Sequence, residues 1–290
     1  MSGNLIDLRR RISSVKNTQK ITKAMKTVSA VKLRKSVAEI HRSRPVLEKL
    51  EYLINQVGKS AEIRKSPLMQ KRESGETVIV ALSADKGLCG SFNSNLSKEA
   101  EVCYKKIIDD GGNPSFITVG KKVYNYLSKK GFSIRKNFPD FMIKLKFSDS
   151  KELTDYLREM FLSEEIKEIK FVFTGFKSSS KQEISNRILF PISMESVNEE
   201  EVEEVEYIFE PEPAEILGLL IPRLINSIVF HTMLESSASE HAARMAAMEL
   251  ATQNASEMID SLTLTMNKLR QASITNELLE IITATEALSN

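Results

Sequence analysis

The stretch SADKGLCGSFN, residues 83–93, follows an apolar strand-like run and precedes a helical one. Many α/β domains hold phosphates at such a junction, because a helix N-terminus leaves its first backbone N–H groups unpaired. The spacing here matches neither Gly-x-Gly-x-x-Gly nor a Walker loop, since no Gly-Lys-Ser/Thr follows at the required distance. Gly120-Lys121-Lys122 lacks both the preceding glycine and the hydroxyl residue. The plainer reading is a tight turn whose glycines serve backbone geometry. Of the three histidines, His231 and His241 lie ten residues apart, not the four that would turn both toward one metal. Cys89 and Cys103 form no Cys-x-x-Cys pair and point to a reducing compartment. No Ser/His/Asp grouping or carboxylate pair stands in a recognisable catalytic motif. The expectation is a chain with no metal, no cofactor and no catalytic centre of its own.

Chemistry of another kind is suggested by NTQKITKAMK, residues 17–26. Upstream, Leu5, Leu8, Ile12 and Val15 recur three and four apart, one face of an amphipathic helix. Asn17, Thr18, Gln19 and Lys20 then interrupt the stripe, and Ile21, Ala24, Met25 and Val28 resume it on a slightly rotated face. A helix that only filled a core would not skip a turn of apolar side chains, so contact with something else is expected here.

The elements that must carry these residues emerge from composition and punctuation. With 290 residues, 41 % of them hydrophobic and 28 % charged, the chain has the composition of an ordinary globular protein. No uninterrupted run approaches the roughly 20 apolar residues needed to span a bilayer, and the N-terminus lacks the pattern of a secretory signal. Net charge is only +2, yet it is unevenly spread. Residues 1–44 hold twelve Lys or Arg against Asp7 and Glu39, whereas residues 195–215 hold ten Glu and no Lys or Arg. A basic rod of this kind suits either a nucleic-acid or acidic-protein surface or a solvated helix face; the acidic run reads as solvated loop or edge.

Neither Gly nor Pro occurs between Gly3 and Pro45, nor in the 68 residues after Pro222. Both stretches can therefore be continuous helices, the second about 100 Å long at 1.5 Å per residue. A compact chain of this size has a radius of gyration of only about 19 Å, so such a helix must protrude, break or be covered by a partner. Met245, Met248, Thr252, Ala255, Ile259, Leu262, Met266 and Leu269 follow the three-and-four spacing of a coiled-coil seam. Beyond Leu269 the register shifts to Ile274, Leu278, Ile281 and Leu288, with Leu279 and Ile282 adding apolar surface on other faces, which points to an enclosing sleeve. The expected architecture is an antiparallel coiled coil of the N- and C-terminal helices (residues 1–60 and 211–290). It is joined to a central α/β domain (residues 74–210) with a mostly parallel sheet of about five strands flanked by helices. ETVIVALS, SFITVG, FSIRKNF and KFVFTGF supply four strands, and residues 187–192 and 206–209 edge strands.

Three motifs carry a family resemblance. RRISSVKNTQKITKAMKTVSAVKLRK (residues 10–35), SADKGLCGSFN and SEHAARMAAMELATQNASEMIDSLTLTMNKLRQASITNELLEII (residues 239–282) resemble, in that order, stretches of the gamma subunit of rotary F-type ATP synthases. One departure is that Thr283, Ala284 and Thr285 stand where the family has a Gly-Ala pair, which stiffens the helix end, because Ala is favoured over Gly by about 1 kcal/mol.

The resemblance implies a central shaft that performs no bond chemistry. It turns within a ring of alpha and beta subunits, with its foot on a membrane ring of c subunits beside the epsilon subunit, and couples proton flow to ATP synthesis or hydrolysis. It further implies a peripheral place on the cytoplasmic face of a bacterial inner membrane, with no transmembrane segment and no nucleic acid. Residue by residue, it assigns Lys20, Lys23, Met25, Lys26, Arg34, Lys35, Arg270, Gln271, Thr275 and Glu277 to contacts with the beta subunit. Leu278, Leu279, Ile281, Ile282 and Leu288 go to the sleeve around the tip, and Tyr207 to the membrane ring and epsilon. The alternatives are a nucleic-acid-associated coiled-coil protein, against which the absence of stacking aromatics in residues 1–44 speaks, and an α/β nucleotide-binding enzyme built around the GLCG turn.

Overall fold

The computed structural model describes residues 2–58, 66–143, 145–163, 165–192 and 212–289. Helix α1 (Ser2–Gly58) is followed by β1 (Glu76–Leu82), α2 (Phe92–Asp109), β2 (Asn113–Val119), α3 (Lys121–Lys129) and β3 (Ile134–Phe138). Then come α4 (Phe147–Leu162), β4 (Ile166–Phe176), β5 (Gln182–Phe190) and α5 (Pro213–Ser289). The chain divides into two units: residues 1–29 with 244–290, and residues 30–243. Expected strands and helices all appear where described, with the edge element 187–192 lengthened into β5. The acidic run and the strand expected at residues 206–209 lie outside the described residues.

Residues 30–243 are built on a five-stranded sheet of order β3-β2-β1-β4-β5. β1 to β4 run parallel and β5 closes the edge antiparallel to β4. Strands buried on both faces read as continuous apolar runs, and β1 is buried at six consecutive positions. On one face Ile79, Ala81, Phe116 and Val172 pack with Leu96 and Ala100 of α2 and Val123 and Leu127 of α3. On the other, Val78, Val80, Phe171 and Phe173 meet α4, the last turns of α1 and the first part of α5, through Leu157, Ile54, Ile225 and Met233 among others. The sheet is thus the middle of three layers, as a βαβ sequence requires.

Both terminal helices run past residues that the punctuation marks as breakers. Pro45 lies inside α1, and Gly218 and Pro222 inside α5. A proline removes one i→i−4 bond and crowds the previous turn, but burial of Ile40 and Ile54 on either side of Pro45, and of Leu217, Ile221 and Ile225 around Pro222, holds the helices together. One window of α5 is long and apolar enough to cross a membrane by length and composition alone, although no unbroken apolar run exists; half of that window is buried in the fold.

In the other unit, residues 5–26 of α1 lie against residues 249–280 of α5. Lys26 meets Glu249 at 2.6 Å and Thr22 meets Thr252 at 2.7 Å. A groove further along is lined by Leu5, Ile6 and Arg9 together with Ser273, Asn276 and Glu277. Numbers fall on one helix as they rise on the other, so the pair is antiparallel.

Candidate partner-contact surface

The inward stripe of α1 in this pair keeps a strict three-and-four spacing. Leu5, Leu8, Ile12, Val15, Gln19, Thr22, Met25 and Ser29 are buried or half-buried. The seam therefore does not rotate after the interruption; it continues in the same phase with mostly polar residues. Ile21 and Val28, expected to resume the apolar stripe, are instead 60 % and 56 % exposed, and Ala24 is exposed beside them. Facing these residues, α5 presents Met245, Met248, Thr252 and Ala255, then Ile259, Leu262 and Met266, all at least half-buried.

Several hydroxyls of this unit bond to their own helix. Thr18, Thr27 and Ser29 donate to carbonyl oxygens four residues back on α1, while of Thr22 and Thr252 one donates to the other's hydroxyl and the other to a carbonyl oxygen of its own helix. On α5, Thr263, Thr265, Thr275, Thr283 and Thr285 donate to their own helix. A threonine bonded in this way shows its methyl group to the outside and spends its proton on its own helix.

Lys20, Lys23 and Lys26 line one groove with Gln19, Glu249 and Gln253. Lys26 is paired with Glu249, while Lys20 and Lys23 are exposed. Arg270, Gln271, Thr275 and Glu277 are exposed on α5; Thr275 Oγ1 donates to the Gln271 carbonyl oxygen at 3.0 Å and Ser273 Oγ to Glu277 Oε1 at 3.3 Å. The two sets stand at different levels of the pair. The lysines sit beside residues 249–256, and Glu277 beside Leu5 and Arg9, about 30 Å further along by helix rise. Ile274, Leu278, Leu279, Ile281 and Ile282 are all at least half exposed, and Leu288 belongs to the last turns of the same helix. In the other unit, Arg34 is exposed and Lys35 lines a shallow cavity with Glu39, Met142 and His241. Tyr207 lies outside the described residues.

The GLCG turn is held by hydrogen bonds from side chains within it. Asp85 Oδ1 accepts from the backbone N–H of Lys121, the first residue of α3, at 3.1 Å and from that of Asp140 at 3.0 Å. The carboxylate thus caps the positive end of α3, the helix that follows Gly120. Asn93 ties the turn shut, accepting from the Ala84 N–H at 3.0 Å and donating to Cys89 Sγ at 3.1 Å. Ala84, buried Cys89 and Phe92 pack with Ala243 of α5, so the turn braces that helix. Sequence reasoning missed this role, since the partner stands some 150 residues away. Among the described residues no group of three or more His, Cys, Asp or Glu is placed to hold a metal ion.

Comparison with known proteins decides the family. A family model described as ATP synthase matches residues 4–288. An ATP synthase gamma chain of Geotalea uraniireducens is 42 % identical over 286 residues, 99 % of both chains, and one of Chlorobium phaeobacteroides is 37 % identical over 99 % of each. The chain belongs to the ATP synthase gamma chain family. Solved structures agree in fold. A chain of the Euglena gracilis mitochondrial ATP synthase superposes with a TM-score of 0.67 over 99 % of this chain and 95 % of that one, at 18 % identity. A chain from the central stalk and c-ring structure of the Tetrahymena thermophila enzyme gives 0.59 over 80 % and 99 %, at 24 % identity. Nothing in these likenesses supports the nucleic-acid or nucleotide-enzyme alternatives, and the resemblance read from the three motifs extends over the whole gamma-chain length.

Proposed function

We propose that this chain is the central rotor shaft of an F-type ATP synthase. It turns within a ring of alpha and beta subunits and couples ion flow through a membrane c-ring to ATP synthesis or hydrolysis on the beta subunits. It is a non-catalytic subunit, bound peripherally with the epsilon subunit at the cytoplasmic face of a bacterial inner membrane. The observation that carries this reading is end-to-end identity with gamma chains of 37–42 % over 99 % of the chain.

The surface of the helix pair supports the role. A rotating shaft needs many shallow contacts, because one deep minimum would hold it at a single angle. Threonines bonded to their own helix offer few hydroxyl donors to a partner, and exposed ion pairs contribute only about 0–1 kcal/mol each. Lys20, Lys23, Lys26, Arg34 and Lys35 would face acidic segments of the beta subunit, with Arg270, Gln271, Thr275 and Glu277 at a second level. Leu278, Leu279, Ile281, Ile282 and Leu288 would fill the apolar sleeve, and Tyr207 would meet the c-ring or epsilon.

Co-purification from the native membrane tests the assignment: alpha, beta and epsilon subunits should accompany the tagged chain, and their absence would refute it. Met25→Lys tests the contact surface. We expect the assembled complex to retain hydrolysis while proton pumping per ATP falls at least two-fold; unchanged coupling would remove Met25 and its neighbours from the interface.

A further inference from the structure

Between α1, β5 and the first part of α5, inside residues 30–243, lies a cavity of about 320 Å³. Its walls are mostly aliphatic: Leu47 and Ile54 from α1, Leu189 and Ile192 from β5 and just beyond it, and Leu224 and Ile228 from α5. Three polar side chains break that lining. Glu51 and Asn55 lie one turn apart on α1 and so share a face, and Arg187 joins them from β5. At about 30 Å³ per water-sized group, the space holds about ten such groups. A mostly apolar pocket with a few convergent polar groups is the usual form of a small-molecule site.

These polar groups have capacity to spare. The Arg187 guanidinium lies over the Phe173 ring, Cζ 5.6 Å from its centroid, and gives one N–H to Thr232 Oγ1 at 3.3 Å. It has five to give. Among the described residues, Glu51 and Asn55 make no hydrogen bond, and neither Glu51 nor Arg187 forms an ion pair. Burial raises the Glu51 carboxyl, with Arg187 opposing the shift and Glu48 and His231 acting more weakly. A half-buried charge without a hydrogen-bond partner carries a desolvation cost that a complementary ligand removes.

Opposite charges on one wall select the ligand. A simple cation suits Glu51 but is repelled by Arg187, a simple anion meets the reverse, and an aliphatic molecule leaves both unpaired. A zwitterion answers both. We propose that this cavity binds a free α-amino acid with a branched aliphatic side chain, of the size of leucine. The ligand carboxylate accepts from Arg187 and the Asn55 amide, its ammonium donates to Glu51, and its side chain lies among the leucines and isoleucines of the wall. No covalent bond is made or broken. The site is complete within residues 30–243 and does not depend on the shaft role.

Calorimetric titration of the full chain with L-leucine tests this. Saturable binding at one site is expected, with a Kd below about 1 mM; no saturable binding up to about 10 mM overturns the proposal. N-acetyl-L-leucine lacks the ammonium, L-leucinamide lacks the carboxylate and glycine lacks the side chain. Each is expected to bind at least about ten-fold more weakly than leucine. Glu51→Gln keeps the shape of the wall but removes its negative charge, and is expected to raise the Kd for leucine at least about ten-fold. Equal affinity for any of the three analogues, or an unchanged Kd in the variant, overturns the proposal. The analogue series uses the wild-type chain, so its outcome stands even if the variant fails to fold.

Discussion

Gly120 shows how much one atom decides at the residue scale. Its φ is +97°, and a Cβ there would stand 2.2 Å from the carbonyl oxygen of Ser83, backbone that cannot step aside. Gly120→Ala is expected to cost about 2–4 kcal/mol, from strain at positive φ plus overpacking, and urea unfolding of the purified chain measures it. The same corner shows what the sequence could and could not say. That SADKGLCGSFN is a tight turn was legible from its glycines and flanking patterns. That Asp85 closes it on Lys121 and Asp140 was not, because those N–H groups arrive from 36 and 55 residues away. Leu88 sits in the same turn at φ 61° with its side chain largely exposed, a conformation that local propensity argues against.

Helices and strands were far more legible, because period and punctuation are local. β1, β2 and β4 follow from apolar runs bounded by turn residues, whereas β3 (IRKNF) and the edge strand β5 (QEISNRILF) are largely polar, and the antiparallel direction of β5 was not legible. The phase of the seam was harder. Counting apolar residues places Ile21, Ala24 and Val28 on a resumed stripe, whereas geometry keeps the inward face on Gln19, Thr22 and Ser29. Identity and phase part company where a helix serves two surfaces, and only the partner helix says which residues face inward. Thr22 and Thr252 mark that inward face with a hydrogen bond between their hydroxyls. Thr22→Val and Thr252→Val are each expected to destabilise the pair by about 1 kcal/mol, and the double variant by less than the sum, since the shared bond can be lost only once. Hydrogen exchange along residues 15–29 reads this directly; additive effects would show the two hydroxyls to be independent.

Across the whole molecule, a few carboxylates shape the response to pH. Lys105, then Lys130 and the Tyr126 hydroxyl, hold the Glu101 carboxyl down to about 2, and Arg135 lowers that of Glu76. A lowered carboxyl contributes stability above its unfolded value and loses it as pH falls toward the folded one. Glu101→Gln should therefore weaken the chain at pH 6 and flatten its acid transition between about pH 4.5 and 2, as followed by circular dichroism. Burial raises the Glu51 carboxyl, so its sign is opposite: its contribution is lost as pH rises through the carboxylate range. Glu51→Gln is expected to raise the melting midpoint at pH 7 by about 1–2 °C. The exposed leucines and isoleucines near the end of α5 carry a different consequence, for the economy of the cell that makes the chain. Copies synthesised in excess of their companions have nowhere to hide this oily surface and become clients for chaperones or proteases. Output of this chain must then be matched to that of the subunits that would cover it.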